Sequence, residues 1–265
     1  MDYSVWTEME NTTISNLTLG FRQGILKNSE KLVVSLDYLK RDFDFFDREG
    51  LFPLNELEQS HQLQLDLAYR YDMGGSLSGI LSFRPTIAST WTSSLSNEDF
   101  LWNFYAAISK TWSDGHSGRQ QLGIGVLYDT LFGSPSVLPW VHYETRVFRR
   151  ILLSLGFPYN SIGLQVNKRN QLILEHEFSG TYTNISSALQ IEGLVDQLNT
   201  KLVQFGSQLA LGYHFRLQPN FTTSTRIGYQ FVDAFEIQDG ADDQLYDFGQ
   251  GSSLFFSMGI MYNFK

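Results

Sequence analysis

The 265-residue chain contains no cysteine, which excludes disulfide bridges, thiolate metal ligands and a thiol nucleophile. Basic residues are few, with 19 Lys and Arg against 28 Asp and Glu, and a net charge of −9 argues against nucleic-acid binding. No apolar run approaches the roughly 18 residues of a membrane-spanning helix. Only 6 prolines accompany 22 glycines, so the composition does not indicate a disordered chain.

Aromatic residues are abundant instead, with 21 Phe, 13 Tyr and 5 Trp, and the dominant hydrophobic period is two. Apolar and polar side chains alternate over 62–72, and they do so again over 121–129, 203–215 and 254–264. This alternation is typical of strands with one apolar and one polar face. No segment has a convincing helical stripe, so the sequence predicts an all-β protein.

The alternation predicts about fourteen antiparallel strands of roughly 8–15 residues, the usual range for tilted barrel strands. Short polar turns alternate with longer connections at about 44–59, 92–98, 132–136, 185–200 and 236–251. Outer-membrane barrels show this asymmetry between short periplasmic turns and longer outer loops. The first strand and the 150–167 hairpin have the weakest patterns, so twelve strands are the alternative. The predicted strands are 2–9, 14–26, 31–43, 60–72, 76–91, 99–112, 119–131, 137–147, 150–157, 160–167, 171–184, 201–215, 220–235 and 252–264.

The alternation of apolar and polar side chains does not by itself show which face of the sheet points inward. The alternative to a membrane barrel is a soluble protein of two stacked sheets. The polar face carries glycine and mixed charge, which suits a wet lumen. So many strands would also enclose an interior too wide for side chains to fill. We therefore predict a single transmembrane antiparallel β-barrel domain over 1–265. The predicted charged residues of its lumen are Asp66, Arg70, Arg84, Asp129, His142, Glu144, Arg146, Glu175, Glu177 and Arg226.

Aromatic side chains lie toward the strand ends on the apolar face. Interfacial girdles have this arrangement, because the rings tolerate the boundary between lipid and water. The last strand resembles the closing strand that barrel-assembly machinery recognises, although Lys265 follows its final aromatic residue. The predicted girdle residues are Tyr69, Tyr71, Trp91, Trp102, Trp112, Tyr229, Phe231, Tyr262 and Phe264.

The central segment resembles a known family. Three pieces carry the resemblance: Leu-Pro-Trp-Val-His-Tyr at 138–143, the segment 153–162 with its Gly-Phe-Pro, and 177–182 with its Gly-Thr-Tyr. They are similar to an uncharacterised outer-membrane barrel family that is common in Bacteroidota and known only as a domain of unknown function. The resemblance covers roughly the middle half of the chain. It implies an outer-membrane barrel and brings no catalytic residues.

Few residues have the spacing that catalysis or metal binding needs. No two of the five histidines form a His-x-His or His-x-x-x-His pair, and the acidic stretch 236–251 lacks the calcium-loop pattern. No metal or other cofactor is therefore predicted. His142, Glu144 and Arg146 share one face of a strand, where they suit a salt-bridged wall better than acid–base chemistry. The His-x-Ser spacing of barrel lipid hydrolases is absent.

The sequence predicts a bacterial outer-membrane barrel without enzymatic activity. Its leading predicted function is a small passive channel for ions or small polar solutes, whose lumen charges set selectivity. The alternative is a structural or accessory barrel of a larger outer-membrane complex, since nearly balanced charges can pair and close a narrow interior. A weaker alternative is a lipid-modifying enzyme. The expected partners are outer-membrane lipid and lipopolysaccharide, the barrel-assembly machinery and other outer-membrane proteins, with no nucleic acid.

The first residues, Met1 to Trp6, show neither the basic start nor the apolar core of a secretory signal. We therefore expect either a cytoplasmic protein or a sequence that is numbered as a mature or engineered chain. The barrel pattern favours the second alternative, in the outer membrane.

Overall fold

The computed structural model describes residues 1–9, 12–27, 30–45, 57–114, 118–148, 150–189 and 198–262. These residues form one sheet of fifteen strands. In chain order the strands are β1 (Asp2–Met9), β2 (Thr12–Lys27), β3 (Glu30–Phe45), β4 (Gln59–Gly74), β5 (Leu77–Ser89), β6 (Phe100–Asp114), β7 (Gly118–Phe132), β8 (Ser134–Val147), β9 (Ile151–Phe157), β10 (Tyr159–Gln165), β11 (Asn170–Asn184), β12 (Lys201–Gln218), β13 (Phe221–Gln238), β14 (Gln244–Asp247) and β15 (Gly251–Tyr262).

The sheet closes into a barrel. Neighbouring strands pair antiparallel from β1 to β13, and β15 joins β13 to β1 and completes the ring. The short β14 pairs only with the end of β13, so fourteen strands form the barrel and the predicted strand number is confirmed. A 3-10 turn occupies Asn97–Asp99. Among the described residues, no helix is long and apolar enough to cross a membrane.

Several of the predicted boundaries are wrong, including the following three. The strand predicted over 76–91 ends at Ser89, because Trp91 adopts a φ of 55° and its N–H bonds the Ser89 hydroxyl at 3.3 Å. The connection predicted over 132–136 is the single residue Gly133. Its φ of 90° suits glycine, and its N–H donates to the Thr130 carbonyl at 2.9 Å. The connection predicted over 236–251 contains the end of β13 and all of β14.

The two ends of the barrel differ in their connections. At the short-turn end few residues join the strands, as between Gly74 and Leu77 or between Gln218 and Phe221. At the long-loop end the barrel strands are further apart in the sequence: β3 ends at Phe45 and β4 begins at Gln59, β5 ends at Ser89 and β6 begins at Phe100, β11 ends at Asn184 and β12 begins at Lys201, and β13 ends at Gln238 and β15 begins at Gly251. The long-loop end also has short connections; for example, Gly133 alone separates β7 from β8.

The outward face of the barrel is apolar. In β15, Leu254, Phe256 and Met258 are 50–55% exposed, whereas Ser253 and Ser257, which are on the alternate positions, are at most 3% exposed. Successive side chains of a strand point to opposite faces, which explains this alternation. The polar side chains of the predicted pattern therefore face the interior.

Opposite walls of the barrel meet at the long-loop end. The strands β9 and β10 have only seven residues each, and beyond them β11 lies against β7 and β5. Asn184 of β11 pairs with Ser89 of β5 as a parallel bridge, although the two strands are nearly opposite in the ring. A Cβ on Gly180 would overlap the carbonyl oxygens of Thr130 and Leu131.

A β-bulge turns apolar side chains of β13 into the same end. Phe205 pairs with Ala234 but Gly206 pairs with Val232, which leaves Asp233 outside the ladder and reverses the alternation beyond it. Phe235 and others then pack in an apolar cluster, in which each fully buried Leu, Ile or Phe contributes about 1.5–3 kcal/mol. The prediction of an interior too wide to fill is therefore wrong at this end. The apolar cluster consists of Ile14, Phe43, Leu57, Ile185, Leu189, Leu202, Val232, Phe235, Ile237 and Phe248.

Candidate functional site

Polar side chains from opposite walls meet directly below the apolar cluster. Arg41 of β3 lines a cavity of about 20 Å³ together with Ser179 of β11, Gln204 of β12 and Gln230 of β13. A space of that size holds about one water molecule. Gln204 and Gln230 are 6% and 2% exposed, so this part of the interior is filled by side chains.

Two separate ion-pair clusters lie deeper in the barrel. In the first, Arg84 of β5 reaches Asp66 of β4 at 3.9 Å and Asp129 of β7 at 3.6 Å. Its guanidinium carbon lies 6.0 Å from the ring centre of Tyr105, on the intervening β6. The Ser82 hydroxyl donates to Asp66 at 2.5 Å. One arginine therefore neutralises carboxylates from two strands.

The second ion-pair cluster lies on the other side of the ring. Arg226 of β13 pairs with Glu175 of β11 at 3.3 Å and donates to the Ser257 hydroxyl at 2.8 Å. Tyr159 donates to Glu175 at 3.3 Å, and Glu177 accepts a hydrogen bond from Gln208. Arg226 lies over Gly212 of β12, its cross-strand neighbour, with its Cγ 3.5 Å from where a Cβ of residue 212 would lie.

Three of the four remaining predicted lumen residues line a cavity of about 270 Å³ on the inner face of β4–β8. Arg70 lies on one wall and His142 and Glu144 on another, while Arg146 is exposed near the short-turn end. Within the described part of the chain, the predicted salt-bridged wall of His142, Glu144 and Arg146 does not form, since no ion pair joins them. Arg84 pairs with Asp129 instead.

A buried polar network at the long-loop end was not predicted from the sequence. Lys201 donates to Asn184 at 3.0 Å and to the Glu98 carboxylate at 3.0 Å. Asn184 in turn donates to Asp99 at 2.9 Å, and Asp99 also accepts from the Ser96 N–H. The network ties the β5–β6 connection to the ends of β11 and β12.

The predicted girdle residues lie at both ends of the outward face. Tyr69 and Tyr71 stack 6.0 Å apart near the short-turn end, and Tyr229 lies 5.2 Å from Phe231. Trp91 follows β5 and stacks on His61 at 4.6 Å. The remaining three described residues are Trp102, which stacks on Phe83 and Phe100, Trp112 toward the end of β6, and Tyr262 at the end of β15. Phe264 lies outside the described residues.

Metal ligands are not clustered in the described parts of the chain. No group of three or more His, Asp or Glu residues there could hold a metal ion. In Glu175-His176-Glu177, the His176 ring packs edge-on against Phe178 at 5.1 Å, whereas both glutamates face the interior. These three residues therefore do not converge on one point.

Comparison with known proteins identifies the family. A family model described as domain of unknown function DUF6268 matches residues 52–263. The chain belongs to this family. The resemblance of the central segment is thereby confirmed, and the DUF6268 region holds β4–β15 with both ion-pair clusters and the 270 Å³ cavity. No curated protein matches the chain.

The solved structures to which the chain is similar include a porin and an outer membrane protein. The NanC porin and LpxR from Salmonella typhimurium each give a TM-score of 0.43 at 8% identity, with 99% of both chains covered. OmpT, an outer membrane protein of Vibrio cholerae, gives a TM-score of 0.29 at 9% identity over 99% of this chain and 94% of its own.

Proposed function

We propose that this DUF6268 protein is an outer-membrane barrel that is closed at its long-loop end and serves as a structural or accessory barrel of a larger outer-membrane complex. The observation that carries the proposal is the contact between opposite walls, where Asn184 pairs with Ser89. Short turns lie on the periplasmic side of such barrels and long loops on the outside. The closure therefore faces the cell exterior.

Three groups of contacts support a closed resting state. The apolar cluster around Phe235 lies outermost with the Lys201 network, and the polar layer of Arg41, Gln204 and Gln230 follows below. Opening a path would expose apolar side chains to water and break hydrogen bonds of a buried ammonium group. Both changes cost free energy.

The outer-membrane location is part of the proposal. The apolar outward face of β15 and the aromatic residues near both ends of the barrel support it, since a membrane barrel turns such a face to lipid. Heat-modifiable migration of the protein in outer-membrane fractions would test this location. Recovery in the soluble fraction would contradict it.

Planar-bilayer conductance tests the closure. Protein that is refolded, heat-modifiable and inserted should pass no current above the bare bilayer. Discrete and stable current steps from the unmodified protein would contradict the proposal.

Gentle detergent extraction tests the accessory role. The native protein should migrate as a defined complex larger than the refolded barrel, and migration as the free barrel would contradict that role.

A small passive channel for ions or small polar solutes is the second candidate. The 270 Å³ cavity favours it, because Arg70 and Glu144 provide a polar entry at the short-turn end. Conduction would then require displacement of the closing layers. In that case Arg84→Gln should shift the ion selectivity of the steps, and an unchanged selectivity would contradict the channel.

The proposal includes no enzymatic activity. Lipid hydrolysis by serine needs a histidine base within hydrogen-bond reach of the hydroxyl. His142 stacks on Trp140 at 5.5 Å, and His61 shares a 2.8 Å hydrogen bond with the Tyr38 hydroxyl. Turnover of phospholipid or lipid A by the refolded protein, with or without calcium, would contradict this part of the proposal.

A further inference from the structure

We propose that the 270 Å³ cavity on β4–β8 binds a small zwitterionic solute of the amino-acid class, with the carboxylate of the solute at Arg70 and its ammonium group at Glu144. This inference goes beyond the closed accessory barrel. It assigns a ligand to the interior below the closure, and it does not depend on whether the barrel conducts.

The cavity exists because small residues occupy the strands between its walls. Ala107 and Ser109 of β6 line it, and Gly123 of β7 leaves room for the Trp140 ring. A Cβ on Gly123 would lie 2.6 Å from a ring carbon of Trp140. The volume is just below the roughly 300–1,000 Å³ of typical small-molecule pockets, so it suits a ligand the size of one amino acid.

The charged residues of this cavity differ from the other charged residues of the interior in that they form no ion pair among the described residues. Arg84 and Arg226 each pair with a carboxylate, but within the described residues neither Arg70 nor Glu144 belongs to an ion pair. Arg70 bonds only the Ser78 hydroxyl there, at 3.3 Å. A guanidinium and a carboxylate that form no ion pair among the described residues can each form charge-assisted hydrogen bonds to a ligand. A ligand with both signs of charge satisfies both.

An aromatic wall lies beside these charges. The Trp140 ring stacks on His142 at 5.5 Å and meets Tyr105 edge-on at 5.2 Å. Aromatic walls favour flat apolar groups by burial and ring contacts. We therefore expect aromatic amino acids to bind more tightly than glycine.

The ligand enters from the short-turn end. Arg70 and Ser78 also line a second cavity of about 270 Å³, which Asp72, Ser76 and Thr111 form beside the β4–β5 turn. The long-loop end is filled by the apolar cluster. In the proposed orientation, the solute therefore reaches the cavity from the periplasm.

Isothermal titration calorimetry on the full chain refolded in detergent tests this inference. Three probes distinguish the contribution of the ligand's carboxylate from that of its ammonium group. L-phenylalanine carries both groups, N-acetyl-L-phenylalanine carries only the carboxylate, and L-phenylalanine amide carries only the ammonium group. L-phenylalanine should bind saturably and more tightly than either derivative. Arg70→Gln and Glu144→Gln should each weaken its binding about tenfold, the scale of one lost charge-assisted contact.

The variants distinguish a built site from nonspecific uptake. Glu144→Gln should not change binding of N-acetyl-L-phenylalanine, and Arg70→Gln should not change binding of the amide. Arg146→Gln is the matched control, since Arg146 lies on the same strand but outside the cavity. If Arg70→Gln fails to give a heat-modifiable barrel, Arg70→Lys keeps the charge and should retain most of the affinity.

Two outcomes would overturn the inference. One is no saturable heat with L-phenylalanine, and the other is affinity that none of the cavity variants changes. A conducting barrel that still binds L-phenylalanine would contradict only the proposed closure. A silent barrel that binds nothing would contradict only the ligand site.

Discussion

The Lys201 ammonium group donates a hydrogen bond of 3.0 Å to the Asn184 side-chain oxygen, and the two residues are only 3% and 4% exposed. Lys201 begins β12 and Asn184 ends β11. Asn184 also pairs with Ser89 on the opposite wall. The contact between the walls is therefore held by a buried charge as well as by backbone pairing.

Lys201→Met should destabilise the barrel. The variant leaves the Asn184 oxygen and the Glu98 carbonyl without their donor, and an unsatisfied buried acceptor costs about 1–3 kcal/mol. Lys40→Met is the control, because Lys40 forms a partly exposed ion pair with Asp42 that contributes about 0–1 kcal/mol. Urea unfolding followed by tryptophan fluorescence measures both free energies. Equal losses in the two variants would contradict the role of Lys201.

The ionisation of Asp99 should make stability depend on pH. Burial alone would raise the pKa of Asp99, but hydrogen bonds from Ser89, Ser96 and Asn184 together hold it below its ordinary value. Because the folded pKa is the lower one, the stabilisation is complete above the unfolded pKa of about 4 and is lost as the pH falls through the folded pKa. Asp99→Asn should therefore lose less stability than the unmodified protein on acidification.

Urea midpoints between about pH 5 and pH 2 measure this difference. Asp42→Asn, at an exposed carboxylate, should follow the unmodified protein. Identical pH profiles for Asp99→Asn and the unmodified protein would contradict the prediction.

Gly180→Ala should separate β11 from β7. The new Cβ would overlap two backbone carbonyl oxygens, those of Thr130 and Leu131, and no side-chain rotation relieves that overlap. We expect current in an otherwise silent barrel. At Gly212 the nearest atom to a new Cβ is 3.5 Å away, so Gly212→Ala is a matched control that should stay silent. If neither Gly180→Ala nor Gly212→Ala passes current in planar bilayers, the result would contradict the closure at Gly180.

Arg84→Gln should destabilise the barrel moderately. It removes the shared cation of Asp66 and Asp129, but these side chains are 23–30% exposed. Water therefore screens part of the effect, and the expected loss is about 1–2 kcal/mol rather than the 3–5 kcal/mol of a fully buried pair. Adding Asp129→Asn to Arg84→Gln should restore part of the lost stability, because it removes one of the two carboxylates, Asp66 and Asp129, that repel each other without the arginine. Arg119→Gln, at an exposed residue near the short-turn end, should change the urea midpoint little.

The sequence predicts the strands and their faces well, because the alternation of side chains is a local property of the pleat. For example, Leu254 faces outward and its neighbour Ser253 faces the interior. Alternation fails at Phe235 and Ile237, which continue the outward odd positions of β13 but turn inward beyond the bulge. A bulge depends on the partner strand, so the pattern of one strand does not reveal it.

The closing contacts could not be predicted from local pattern. The bridge between Ser89 and Asn184 depends on the short β9 and β10 and on how the barrel narrows above them. Part of the Lys201 network does have a sequence signal, because Ser96 and Asp99 have the spacing of a capping box. Lys201 has no comparable signal, since its partners lie far away in the chain.

Disulfide cross-linking across the barrel tests the closure most directly. Thr90 and Ser186 follow the ends of β5 and β11, with side-chain oxygens 3.2 Å apart, and the chain has no cysteine of its own. We expect Thr90→Cys with Ser186→Cys to form a cross-link in the inserted protein, visible as a gel shift that reductant removes. Ser78→Cys with Ser109→Cys, on the paired strands β5 and β6, is the positive control. A cross-link in the control but none between residues 90 and 186 would show that the walls do not meet.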